Sequence, residues 1–292
     1  MRQFAEWLTG ARHRAILATV LFAVLPFLEV ASVATVALAT IRRGEQEGLL
    51  VAAVAAIAFA GVQFALIGGL DVFTIAFVLT WFAVIALAAL YRRWRSLSLC
   101  LQVLTLGTVL LVLLVFLLAG DPGPVFQPFV ETQLTAWRQL GVEIHADAAD
   151  ELALWAPGLL GGGLLLLAAL GLLLGVWWND LLISESFTQR FAVVKLGLVV
   201  GVVAAVVFLL SGVTGWVLLE NLVIVLILAF LFQGLAVLHA LRAHGRLGRG
   251  WLVGTYVLLL LPTPLVLPMA VGLAGFGFID NWLDLRKHLQ GA

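Results

Sequence analysis

Seven notable polar side chains stand in stretches rich in Leu, Val, Ala and Phe: Glu29, Gln63, Asp71, Glu220, Asn221, Gln233 and His239. A polar group in hydrocarbon is costly, so each marks a candidate ligand contact, proton path or interhelical hydrogen bond. Glu29, Asp71, Glu220 and Asn221 fall at turns expected on one side of a membrane, and together they form a candidate ligand pocket opening outward. The competing reading is that residues at such turns lie near water and simply cap helices. Glu220 follows four apolar or aromatic residues, Trp216 to Leu219, which sets it below the interface. Gln63, Gln233 and His239 are candidate intramembrane polar contacts. Gln233 is expected to bond a neighbouring helix, a contribution of roughly 0.6–2 kcal/mol. His239 lies beside Arg242 near a boundary.

Enzyme signatures are missing. There is no HExxH zinc pattern and no phosphate-binding GxxxxGK[ST]. Asn179-Asp180 lacks the further aspartates of an intramembrane prenyltransferase. Asp280 and Asp284 have i, i+4 spacing, yet the second acidic motif of a phosphatidyltransferase is absent. Asp284, followed by Arg286 and Lys287, reads instead as the end of the last helix at the cytoplasmic surface. The chain is expected to be no enzyme, to hold no metal and to need no cofactor. A formal net charge of zero leaves no basic field for nucleic acid, and the single cysteine, Cys100, excludes an intramolecular disulfide.

These residues must be positioned by membrane helices. Only 11% of the chain is charged, so most of its surface faces something other than water. Apolar runs of about 20 residues, the length that crosses ~30 Å of hydrocarbon, recur from end to end. They are continuous rather than alternating, which favours helices over barrel strands. Clear spans are 49–68, 71–90, 97–119, 159–178, 193–210 and 216–241. Two stretches, 15–40 with Pro26 and 251–278 with Pro262, Pro264 and Pro268, are each one long span or two short ones. The positive-inside rule favours two reversing pairs, because all Lys and Arg except Arg138 then lie in the cytoplasm with both termini. Ala31-Ser32-Val33-Ala34 loosely resembles a signal-peptidase site, but the apolar run continues past it to Thr40, so a retained first helix is expected.

The expected fold is an all-α polytopic bundle of about eight to ten membrane-embedded helices, some short and paired, in one integral membrane domain over 1–292. Segment 120–157 is an acidic extracytoplasmic loop. Within it Phe129, Leu134, Trp137 and Leu140 mark an amphipathic helix, either a lid over an outward cavity or a connector resting on the membrane. Segment 179–195 is a cytoplasmic connector with Leu181, Leu182, Phe187 and Phe191 on one side and Glu185 and Arg190 open to water. The pairs Gly171/Gly175 and Gly197/Gly201 fit close helix packing within the chain.

Asn221–His239, NLVIVLILAFLFQGLAVLH, followed by a basic loop, resembles the YybS-like family of bacterial membrane proteins, a domain of unknown function. The ending Gly272–Lys287, GLAGFGFIDNWLDLRK, resembles that family's closing pattern, and Ala34–Gly44, ATVALATIRRG, its early helix. The family is similar to the S components of energy-coupling-factor transporters and, more distantly, to the rod-shape protein MreD. The resemblance implies a metabolite-binding subunit of the bacterial inner membrane whose first helix docks on a membrane partner protein. Ala11 and Ala15 match the alanine-x-x-x-alanine docking motif. The alternatives are a cell-envelope scaffold or assembly factor and a secondary transporter.

Overall fold

The computed structural model describes residues 1–69, 72–143, 145, 147–261 and 264–287. Asp71 and Pro262 lie outside them. Among the described residues there are thirteen helices and no strand. They are α1 Arg2–Gly10, α2 Arg12–Val24, α3 Glu29–Arg43, α4 Glu45–Ile67, α5 Val72–Trp94, α6 Leu97–Ala119, α7 Gly123–Gln139, α8 Ala148–Ile183, α9 Phe187–Ala192, α10 Gly197–Thr214, α11 Val217–Ala243, α12 Arg249–Leu260 and α13 Val266–Leu283. Seven of these, α4, α5, α6, α8, α10, α11 and α13, are long and apolar enough to cross a membrane. The chain is a multi-pass, all-α membrane protein.

The 15–40 stretch is a reversing pair. Pro26 cannot continue the ladder of α2, and the chain turns through Leu25–Leu28 into α3. Buried Ser32 donates to Thr19 O at 2.7 Å, pinning the two arms together. At 13 and 15 residues the arms are only about 20 Å long, short for a full crossing. The second pair is built differently: α13 lies along α11, whereas α12 touches both only lightly.

Two helices make the spine. α8 packs on α3, and α11 on α13, in the two most extensive pairings of the bundle, while α8 and α11 also pack on each other. The approach of α3 to α8 depends on Gly171 and Gly175, where an added Cβ would sit 2.3 Å from Val33 Cγ1 and 2.7 Å from Ala37 Cβ. With 36 residues, α8 is about 54 Å long and projects beyond any bilayer core. Its projecting start carries α7, through Val130 and Leu134 against Ala149, Ala153 and Ala156. The packed stripe of α7 therefore runs through Phe126, Phe129, Val130 and Leu134; Phe129 and Leu134 are as expected, whereas Trp137 and Leu140 are exposed.

The ends of the bundle differ in charge. At one, Arg12 and Arg43 both bond Glu47, an added Cβ on Gly44 would meet the Arg92 guanidinium, and Arg190 reaches Asp180. At the other, Gln127 bonds Asp150 at 2.8 Å and Trp155 bonds Glu220 at 3.2 Å. These are called the basic and acidic ends below.

Candidate functional site

A cavity of about 630 Å³ opens at the acidic end, enclosed by α2 to α8. Its polar lining is sparse. Glu29 stands in the first turn of α3, where the helix dipole favours a carboxylate. Gln63 of α4 donates to Thr74 Oγ1 of α5 at 3.0 Å. Apolar walls come from Phe59, Phe77, Leu111 and Val115, the far side from the Pro157–Leu167 stretch of α8, and Phe126 of α7 closes the mouth. Among the described residues no Lys or Arg lines the cavity.

The expected four-residue pocket is not what the fold builds. Glu29 lines the cavity, joined by Gln63 rather than by Glu220 and Asn221, and Asp71 lies outside the described residues. Glu220 is held outside it by Trp155 Nε1. Asn221 is wholly buried and fully employed: its Oδ1 accepts from Gly158 N at 2.6 Å, while its amide donates to Leu154 O at 3.0 Å and Val217 O at 2.8 Å. Gly158 N–H and Leu154 C=O are the pair that an unbroken helix would join to each other. Pro157, between them, has no N–H to give to that ladder, and the Asn221 side chain bonds both groups. Asn221 thus splints α8 where α8 walls the cavity. Sequence reasoning missed Thr74, Phe126 and the glycines Gly161 and Gly163 of the wall; the run Pro157 to Gly163, with one proline and four glycines, was the available signal.

The basic end holds a second polar centre, around the non-helical stretch between α9 and α10. The span expected from residue 193 begins only at Gly197. Val194 N donates to Phe191 O, and side chains bond much of the other intervening backbone. Arg286 donates to Ala192 O at 2.7 Å and Val194 O at 2.6 Å, and Lys195 N donates to Ser98 Oγ while Lys195 O accepts from Gln102. Leu196 N donates to Gln233 Oε1, and Asn281 both accepts from Gly197 N and donates to Gly197 O. Non-helical backbone at membrane depth requires such partners. Asp280, wholly buried, joins the donors: it accepts from Gln233 at 2.9 Å and from Arg286 at 2.8 Å. Gln233 therefore bonds a neighbouring helix as its sequence position implied, through Asp280 of α13, and it also accepts from the loop at Leu196 N.

No family model, curated protein or solved structure matches the chain. His239 Nε2 lies 2.9 Å from Tyr256 OH, tying α11 to α12, and its ring meets Phe191 edge-on. Ala15 is only 5% exposed within the chain's own core, and Ala11 sits at the extended junction of α1 and α2, so Ala15 is covered against any partner. Arg190 is less open to water than its connector position implied, since it pairs with Asp180 and Glu185 and lies over the Tyr91 ring.

Asp284 ends α13 and is paired with Lys195 and Lys287. The hydrogen bond from Lys195, then that from Lys287, holds its carboxyl below the usual carboxylate range. A depressed folded value means the tie is intact at neutral pH. It weakens as the pH falls past the unfolded value of about 3.9, and is lost once the pH drops through the folded one. The tie is partly solvated, so the expected loss is about 0.2–1 kcal/mol. Acid titration of thermal stability in detergent checks this: Asp284→Asn should remove that part of the slope, and an unchanged slope would refute it.

Proposed function

We propose that this is a non-enzymatic membrane protein of the YybS-like kind that binds a small molecule in its outward-facing cavity, as a transporter S component does. The carrying observation is the 630 Å³ cavity at the acidic end, with Glu29 and the Gln63–Thr74 pair on otherwise apolar walls. A concave apolar site with a few convergent polar groups is the ordinary form of a small-molecule site. The positive-inside rule supports the orientation, setting the basic end and both termini in the cytoplasm of a bacterial inner membrane and the cavity mouth outside.

Gly163 lines the cavity, and nothing lies within 4 Å of where its Cβ would be, so a bulky side chain can enter the space without disturbing the fold. Native mass spectrometry of the protein taken from its own membranes should show a bound small molecule that Gly163→Phe reduces at least about tenfold. In the same cells Gln63→Cys should react with a membrane-impermeant maleimide added outside, because Cys100 is buried and silent. The reading fails if no adduct depends on Gly163, or if the introduced thiol reacts only from the cytoplasmic side.

A further inference from the structure

A second space of about 600 Å³ adjoins the outer cavity; it lies between α5 and α6, floored by Leu164 and Ala168 of α8. Ala76, Leu111 and Leu164 line both spaces. The second is a trough of a different character. Its walls are side chains such as Leu79, Leu87, Leu90 and Val103, and its two hydroxyls are already spent on their own helices, Thr80 on Ala76 O at 3.0 Å and Thr108 on Leu104 O at 2.9 Å. Nothing in it would hold water. Leu79, Val103 and Leu111 on its edges are exposed on spanning helices, so the trough opens sideways onto hydrocarbon.

We infer that the ligand is a single-headed amphiphile, its head in the cavity at Glu29 and its hydrocarbon chain lying along the α5–α6 trough; this rests on the ligand-binding reading above. The chemistry of the head follows from charge. Among the described residues Glu29 is the one ionisable group on either lining, and no Lys or Arg is there to receive a phosphate or sulfate. Amine or hydroxyl donors complement a carboxylate and an amide, whereas an anionic head meets a like charge. The length of the chain follows from the trough. Along α5 the trough runs from Ala76 to Leu90, about 21 Å, and along α6 from Val103 to Leu111, about 12 Å, at 1.5 Å per residue. The α5 wall exceeds the roughly 15 Å of a single leaflet, half of the ~30 Å core. A chain deeper than its leaflet fits this space better than the tails of the surrounding bilayer lipid.

The test uses the full chain in proteoliposomes and two photoactivatable hexadecylamines, with a diazirine beside the amine in one and at the chain end in the other. The head-proximal probe should cross-link to peptides bearing Glu29, Gln63 or Phe126, and the chain-end probe to peptides bearing Leu90 or Val103. A hexadecyl sulfate carrying the same diazirines should label both at least about tenfold less. Gly107 lines the trough with open space at its Cβ, so Gly107→Phe should block chain-end labelling and spare head labelling. Chain-end labels scattered evenly over the lipid-facing helices, or indifferent to Gly107→Phe, overturn the trough assignment while leaving the cavity reading intact. Equal labelling by the sulfate overturns the head assignment. Head labels that miss the cavity and ignore Gly163→Phe overturn the cavity reading itself.

Discussion

Arg286→Ala is expected to cost about 3–5 kcal/mol, the range for removing one partner of a buried ion pair. The loss is large because the guanidinium serves three acceptors at once: Ala192 O, Val194 O and Asp280 Oδ2. Without it two carbonyls of the α9–α10 stretch lose these donors, and Asp280 keeps Gln233 Nε2 as its remaining bond. Arg286→Lys should recover little. The two carbonyls are reached by two different nitrogens held apart in a planar fork, and a single ammonium cannot reproduce that spread. Charge and geometry can be separated by a double change. Asp280→Asn with Arg286→Met removes both charges and keeps an acceptor for Gln233, so it should be more stable than Arg286→Ala alone, though below the parent because the carbonyls stay unpaired. Thermal unfolding in detergent ranks the variants. A loss under about 1 kcal/mol for Arg286→Ala, the size of a surface pair, would show that the clasp contributes little.

The same residues mark the limit of what was legible beforehand. The apolar runs announced the spanning helices, and the arginines announced the reversing pair, because charge asymmetry and a proline at the turn are local properties of the chain. Glu29 and Gln63 were recognised as costly polar residues, and the fold brings those two into one cavity. Of their companions, only the glycine-rich run of α8 leaves a signal in the sequence. Asn221 and Glu29 look alike in one dimension, each a polar residue near the start of an apolar helix. Only the position of Pro157 on a different helix makes Asn221 a splint and leaves Glu29 free to line a space. The stretch before Gly197 was misread for a related reason. Val193, Val194 and Leu196 are as apolar as any helical run, and what keeps them out of a helix is a set of donors and acceptors on α6, α11 and α13. Hydropathy reports which residues avoid water, and it is silent on where a backbone will find its hydrogen bonds.

The second large effect concerns how α13 is held in place to supply those groups. Gly234→Ala and Gly277→Ala should each destabilise the protein by about 1–3 kcal/mol or more, as overpacking does. A Cβ on Gly234 would sit 2.0 Å from Leu273 O, and one on Gly277 would sit 2.4 Å from Phe230 O and 2.6 Å from Gly234 N. These neighbours are backbone atoms of the facing helix, so no side-chain rotation relieves the clash, and α13 must move away from α11. Asp280 and Asn281 lie within one turn of Gly277, so the displacement should loosen their bonds to Gln233 and Gly197. Amide exchange in 193–197 should therefore quicken in both variants, although neither substitution touches that stretch. Gly163→Ala supplies the contrast: its Cβ meets open space, and alanine is favoured over glycine in a helix by about 0.5–1 kcal/mol, so stability should hold or rise. If all three variants behave alike, the effect belongs to glycine in helices generally and not to the contact between α11 and α13. If only the first two melt early and exchange fast, the close approach of these helices is what keeps Asp280 and Asn281 within reach of the loop.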